Sequence, residues 1–163
     1  NTTNVVNTNT KAEKTAYQKT EQLLYNYNGF QRIVAERKQE IADLRRFGVP
    51  QKSGSIVSYG GNSGGVNRTV LPEESVEAAI RTVEASVQGT VQAIALIDKC
   101  MESLKNDPYY KVLEMRYFEG RTQEDIAAEF GCNQATIARN KSRLVKELAM
   151  RLFPDQVANE IMN

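Results

Sequence analysis

Between Asn133 and Phe153 the chain carries Arg139, Lys141, Arg143, Lys146 and Arg151, with only Glu147 opposing them. Ile137, Leu144, Val145 and Leu148 run through the same stretch at helical spacing, and Gln134, Ala135, Ala138, Arg139 and Ser142 fall on the opposite face. A helix of this kind seals its apolar stripe against a core and turns a basic side outward. It opens with small polar residues and fits the major groove of DNA, where a local run of cations displaces counterions from phosphates. The competing reading is plainer: Lys141 and Lys146 are solvated surface, and Arg143 pairs with Glu147 one turn on.

The preceding residues are those needed to hold such a helix. Asp107-Pro108 suits a helix start, with an acceptor for free amides followed by a ring that fits the first helical position. Gly120 suits its end. Thr122-Gln123-Glu124-Asp125 is close to a capping box. Ile126, Ala127 and Phe130 form the inner face of the helix it starts, and Ile126, Phe130 and Leu113 are expected to pack against Ile137, Leu144, Val145 and Leu148. Gly131 is placed for a sharp turn at positive φ, Cys132 for burial in that turn, and Asn133 for the cap of the last helix, which should run to about Leu152. Arg116 is expected to brace the unit through an acidic partner. Lys111, Arg116 and Arg121 face Glu114, Glu119, Glu124, Asp125 and Glu129, so this small unit concentrates its positive charge on the last helix.

With those residues in place, the segment from Val112 to Leu148 resembles region four of sigma-70-type RNA polymerase sigma factors. The likeness rests on Val112-Leu113, Arg116-Tyr117, Gly120, Thr122, Glu124-Asp125-Ile126-Ala127, Phe130-Gly131, Thr136-Ile137, Arg139 and Arg143-Leu144. The tail Arg151-Leu152-Phe153-Pro154-Asp155 and the long helical first part also resemble phage-encoded sigma-like regulators of the ArpU and RinA kind. The resemblance implies a helix-turn-helix that reads bases with Gln134, Ala135, Thr136, Ala138 and Arg139. Arg139 would reach guanine O6 and N7, Gln134 would pair with adenine, and the alanines would touch thymine methyls. Lys141, Arg143 and Lys146 are then placed for phosphate, as are Arg121 and Thr122 at the start of the preceding helix, with Ser142 on the same exposed face. It also implies a contact with bacterial RNA polymerase from the face near Tyr109 to Glu119. No counterpart of region two is found, so independent promoter opening is not implied.

Composition excludes much else. The 163 residues carry a net charge of +1, two cysteines and no histidine. Without histidine there is no Ser-His-Asp or Cys-His catalysis and no His-ligated zinc. Cys100 and Cys132 lack metal spacing and are expected to be reduced thiols in a cytoplasmic protein. Gly60-Gly61 and Gly64-Gly65 are not followed by Gly-Lys-Ser/Thr, so they form no phosphate loop. No apolar run approaches the ~20 residues that span a bilayer. The expectation is a binding protein: not an enzyme, with no cofactor, no metal and no membrane partner.

The first two thirds read as helical scaffold. Residues 1–10 are Asn- and Thr-rich and are expected to be a disordered tail. Leu23, Tyr27, Phe30, Val34, Ile41 and Leu44 recur along a first long helix that Gly48-Val49-Pro50 ends. Residues 49–71 have the composition of a flexible Gly/Ser linker, with Ile56, Val57 and Tyr59 as a short extended piece. Pro72 opens a second long helix, in which Val76, Ile80, Val83, Val87, Thr90, Ile94, Ile97, Met101 and Leu104 alternate four- and three-residue steps, the heptad seam of a coiled coil. After Phe153-Pro154-Asp155 a short last helix carries Val157 and Ile161.

The expected fold is all-α: a long antiparallel helical hairpin over residues 11–105 and a helix-turn-helix domain over 106–163. The expected function is sequence-specific regulation of transcription, of the phage late-gene type, through double-stranded DNA and RNA polymerase. A homodimer or higher oligomer would form through the first helices. The rival reading is a small-terminase-like packaging protein, which also joins helix-turn-helix modules to helical oligomerisation regions.

Overall fold

Thr122 and Asn133 each end a turn and start a helix. Thr122 is extended (φ −74°, ψ 155°) and its hydroxyl accepts the Asp125 amide at 3.1 Å. Asn133 is likewise extended, and its side-chain oxygen accepts the Thr136 amide at 2.8 Å. Gly120 and Gly131 sit at φ +68° and +64°, a left-handed conformation that strains any residue with a Cβ. The turn glycine and both caps stand where the sequence places them.

The computed structural model describes residues 12–50 and 72–163. The expected tail, and the part of the linker from 51 to 71 with Ile56, Val57 and Tyr59, lie outside the described residues. Among the described residues every regular element is helical: α1 (Ala16–Phe47), α2 (Pro72–Glu102), α3 (Tyr110–Leu113), a π-helical turn (Glu114–Phe118), α4 (Gln123–Phe130), α5 (Gln134–Leu152) and α6 (Pro154–Met162). The chain is all-α. At its start, α1 carries a reciprocal cap: Thr15 and Gln18 each give a backbone amide to the other's side chain, at 3.0 and 3.2 Å.

Contacts group the chain into two units, one of residues up to Tyr27 with Leu96–Asn163, the other of Asn28–Ala95. The grouping crosses both long helices instead of following the boundary at 105/106 read from the sequence. In the first unit, α5 lies between two clusters. Ile137 joins Val112, Met115, Ile126 and Ala127, with Phe130 and Cys132 at the edge. Leu144, Val145 and Leu148 join Leu113 and Tyr117, as expected for Leu113, but also Leu24 of α1, Ile97 and Met101 of α2, and Leu104 just after it. Fully burying each such leucine or isoleucine contributes roughly 1.5–3 kcal/mol, so the ends of both long helices belong to the core that holds α5.

The α1 contribution uses Ala16, Thr20 and Leu24, each at most 1% exposed, four residues apart. Thr20 satisfies its buried hydroxyl by donating to the Ala16 carbonyl at 2.8 Å. Met115 and Tyr117 enter different clusters from the π-helical turn, which the Glu119 amide closes onto the Glu114 carbonyl, five residues back, at 3.0 Å. Two local expectations need correction. Asp107 accepts the Tyr109 amide at 2.9 Å, but α3 begins only at Tyr110, because residues 101–107 turn with three-residue spacing first. Cys132 is half-buried, at the rim of its cluster instead of inside it.

In the second unit, the later part of α1 and the earlier part of α2 run antiparallel and line a common groove. Leu44, Ile80 and Val87 are buried there, and the other heptad positions, Val76, Val83, Thr90 and Ile94, are half-buried.

Candidate nucleic-acid interface

The exposed side of α5 divides into residues that are held and residues that are not. Gln134 and Ala135 are exposed in its first turn, just after the Asn133 cap. Thr136 is half-buried and its hydroxyl donates to Asn133 Oδ1 at 2.9 Å, which fixes the cap. Ala138 is half-buried beside Arg139, which is exposed. Among the described residues neither Arg139 nor Lys146, also exposed, has a hydrogen-bond or ion-pair partner. Ala138, Arg139, Ser142, Arg143, Lys146 and Glu147 line a shallow concavity of about 540 Å³.

The other candidates are engaged within the protein. Lys141 Nζ donates to Glu21 Oε1 of α1 at 3.2 Å, its side chain is 14% exposed, and it lies 5.9 Å from the centre of the Tyr117 ring. The same Glu21 oxygen accepts the Tyr117 hydroxyl at 2.6 Å. Burial, then this carboxylate, pushes the Tyr117 phenol well above its ordinary range. Ser142 Oγ lies 3.4 Å from the Tyr17 hydroxyl. Arg143 grips Asp107 with two nitrogens at 2.8 and 3.0 Å and also donates to Asn140. That fork holds the Asp107 carboxyl below the usual carboxylate range. Arg121 pairs with Glu129 and lies 3.8 Å from Glu119, while Thr122 is exposed and spent on its cap.

Two pairings differ from those expected. Arg143 reaches Asp107 across 36 residues, and Glu147 instead accepts from Arg151 at 2.9 Å. Among the described residues Arg116 has no acidic partner: it donates to the Arg121 carbonyl at 3.0 Å and stands 5.8 Å over the Tyr25 ring, with its Nε buried and without a partner there.

Glu21 and Tyr17 are the residues that sequence reasoning missed. Their signal was the buried stripe Ala16, Thr20 and Leu24, one step beside them on α1. A further strap comes from α6, where Glu160 accepts the Ala16 amide at 2.8 Å and Gln156 bonds Lys19 and the Lys14 carbonyl. The described residues hold no cluster of side chains that would bind a metal ion, and no helix long and apolar enough to cross a membrane.

Residues 94–148 match the family described as Sigma-70, region 4. The match begins within two residues of Leu96, where the second part of the first unit starts, and ends on α5. That family is a DNA-binding regulatory domain, not a catalytic one, so the match supports DNA-binding regulation of transcription. No curated protein and no solved structure matches the chain.

Proposed function

We propose that the protein is a sequence-specific regulator of transcription, of the phage late-gene type, that binds double-stranded DNA and acts with bacterial RNA polymerase in the host cytoplasm. The observation that carries this reading is the first half of α5: a firmly capped helix with a fully buried Ile137 behind it and, in front, an exposed Arg139 that has no partner among the described residues. Gln134, Ala135, Thr136, Ala138 and Arg139 read bases, Arg139 taking a guanine edge. Lys146 neutralises phosphate. Lys141, Ser142 and Arg143 act first as braces that set the angle of α5, Arg121 braces α4 through Glu129, and Arg143 meets phosphate only by leaving Asp107. The family match is compatible with a polymerase contact, for which we propose the surface near Tyr109 to Glu119. The second unit supplies association with another copy of the chain.

Selection of bound sites from random duplexes with the full chain tests this reading. A recovered motif whose binding needs Arg139 supports it; retention independent of sequence and of salt refutes it.

A further inference from the structure

The arm formed by residues 28–47 and 72–95 leaves its apolar seam partly open. Val34, Ile41 and Val83 are half-buried, and Ile33 and Val91 are 40% and 45% exposed. Between the helices lies an open groove of about 780 Å³, lined by the apolar Val34, Ile41, Val87 and Val91 and by the charged Arg37, Lys38, Arg81 and Glu84. A pair of helices covers only part of a heptad stripe, whereas two pairs cover its full width.

The charges specify the occupant. In the arm, α1 carries Arg32, Arg37, Lys38, Arg45 and Arg46 against Glu36, Glu40 and Asp43, and is positive. α2 carries Glu73, Glu74, Glu77 and Glu84 against Arg81, and is negative. Among the described residues no ion pair joins these two helices; the pair within the arm, Arg37–Glu40 at 2.8 Å, lies inside α1. A uniformly acidic or basic partner would be attracted by one helix and repelled by the other. A second copy of the same arm is complementary to both, because a two-fold rotation sets each positive α1 beside the negative α2 of its mate. Lys38 and Glu84 line one groove, so an axis at that level brings Lys38 of each copy to Glu84 of the other.

We infer that this groove seats a second copy of the chain, and that the dimer closes as a four-helix interface through Val34, Ile41, Val87 and Val91. The inference deepens the proposed function, resting on its pairing of a DNA-reading unit with an associating arm. It gives each particle two α5 helices, so that paired DNA sites bind more tightly than a single one.

Sedimentation equilibrium of the full chain without DNA tests it. The expected result is twice the monomer mass at micromolar concentration. Val91→Glu puts an unpaired charge into the apolar interface and should raise the dimer dissociation constant roughly a hundredfold. Its far-UV circular dichroism should stay unchanged, since Val91 is exposed in the lone arm. Lys38→Glu or Glu84→Lys alone should weaken the dimer roughly two- to fivefold, and the two together should restore it. Should Val91→Glu lose helix, the charge-swapped pair decides. A monomer at every concentration overturns the inference, as does a dimer indifferent to Val91→Glu and to the charge swap. A monomer that holds RNA polymerase through Val91 also overturns it. The DNA reading is scored separately on a duplex with one site: Val91→Glu keeps Arg139-dependent binding even where the dimer is lost.

Discussion

Arg139 and Arg143 stand one turn apart on α5 and differ in almost everything but side chain. Arg143 is locked in a fork on Asp107 and Asn140; Arg139 is exposed, with no partner among the described residues. The same contrast separates Lys141, held by Glu21, from Lys146, which is exposed. A basic helix is therefore not uniformly a binding surface. Part of its charge fastens the helix to its neighbours, and what remains outward is available to a partner.

Removing a fastener should cost stability. Glu21→Ala strands the largely covered Lys141 and deprives the Tyr117 hydroxyl of its acceptor. Urea unfolding should show a loss of about 2–3 kcal/mol. A change near zero would mean that water replaces the carboxylate, and Lys141 would then rank with Lys146. Arg143→Ala should cost less, about 0.5–1 kcal/mol, because its side chain is 46% exposed and the pair is screened by solvent. Its loss of specific DNA affinity should be no larger than that stability change explains. A uniform, salt-dependent loss of affinity in a fully folded Arg143→Ala protein would instead make Arg143 a phosphate contact.

Acid sharpens the same division. Arg143 holds the Asp107 carboxyl below its ordinary value of 3.8, so the folded form favours the carboxylate. The stability it contributes is full above about pH 4 and is lost as pH falls through the lowered folded value. Thermal unfolding of wild type should lose this increment in acid, whereas Arg143→Ala should lack it; parallel acid profiles would contradict the brace. The smallest effect belongs to Lys146→Ala, which should leave stability unchanged and reduce the slope of log affinity against log salt by about 1. An unchanged slope would place Lys146 away from the duplex.

The helix-turn-helix was legible because its punctuation is local. Thr122, Gly131 and Asn133 each act on residues within one turn, and Ile126, Ile137 and Leu144 are apolar enough to mark their own faces. The role of α1 was not legible. Ala16 and Thr20 are buried because they are small and let helices approach, and neither carries the hydrophobic signal that marked Leu23 or Tyr27. Nor was the partner of Arg143: Glu147, one turn away, was the local choice, and Asp107 becomes the neighbour only after the chain folds. The helix-turn-helix could thus be read from the chain, while which of its cations are exposed and which are fastened depended on distant segments.

The central claim is that the exposed Arg139 reads a base. Affinities of wild type and Arg139→Ala for a selected site and for a scrambled duplex, at one salt concentration, test it most directly. The predicted result is a loss of about 1–3 kcal/mol on the selected site, little change on the scrambled one, and relaxed preference at a single base position. Equal losses on both duplexes, with the preference intact, would contradict it.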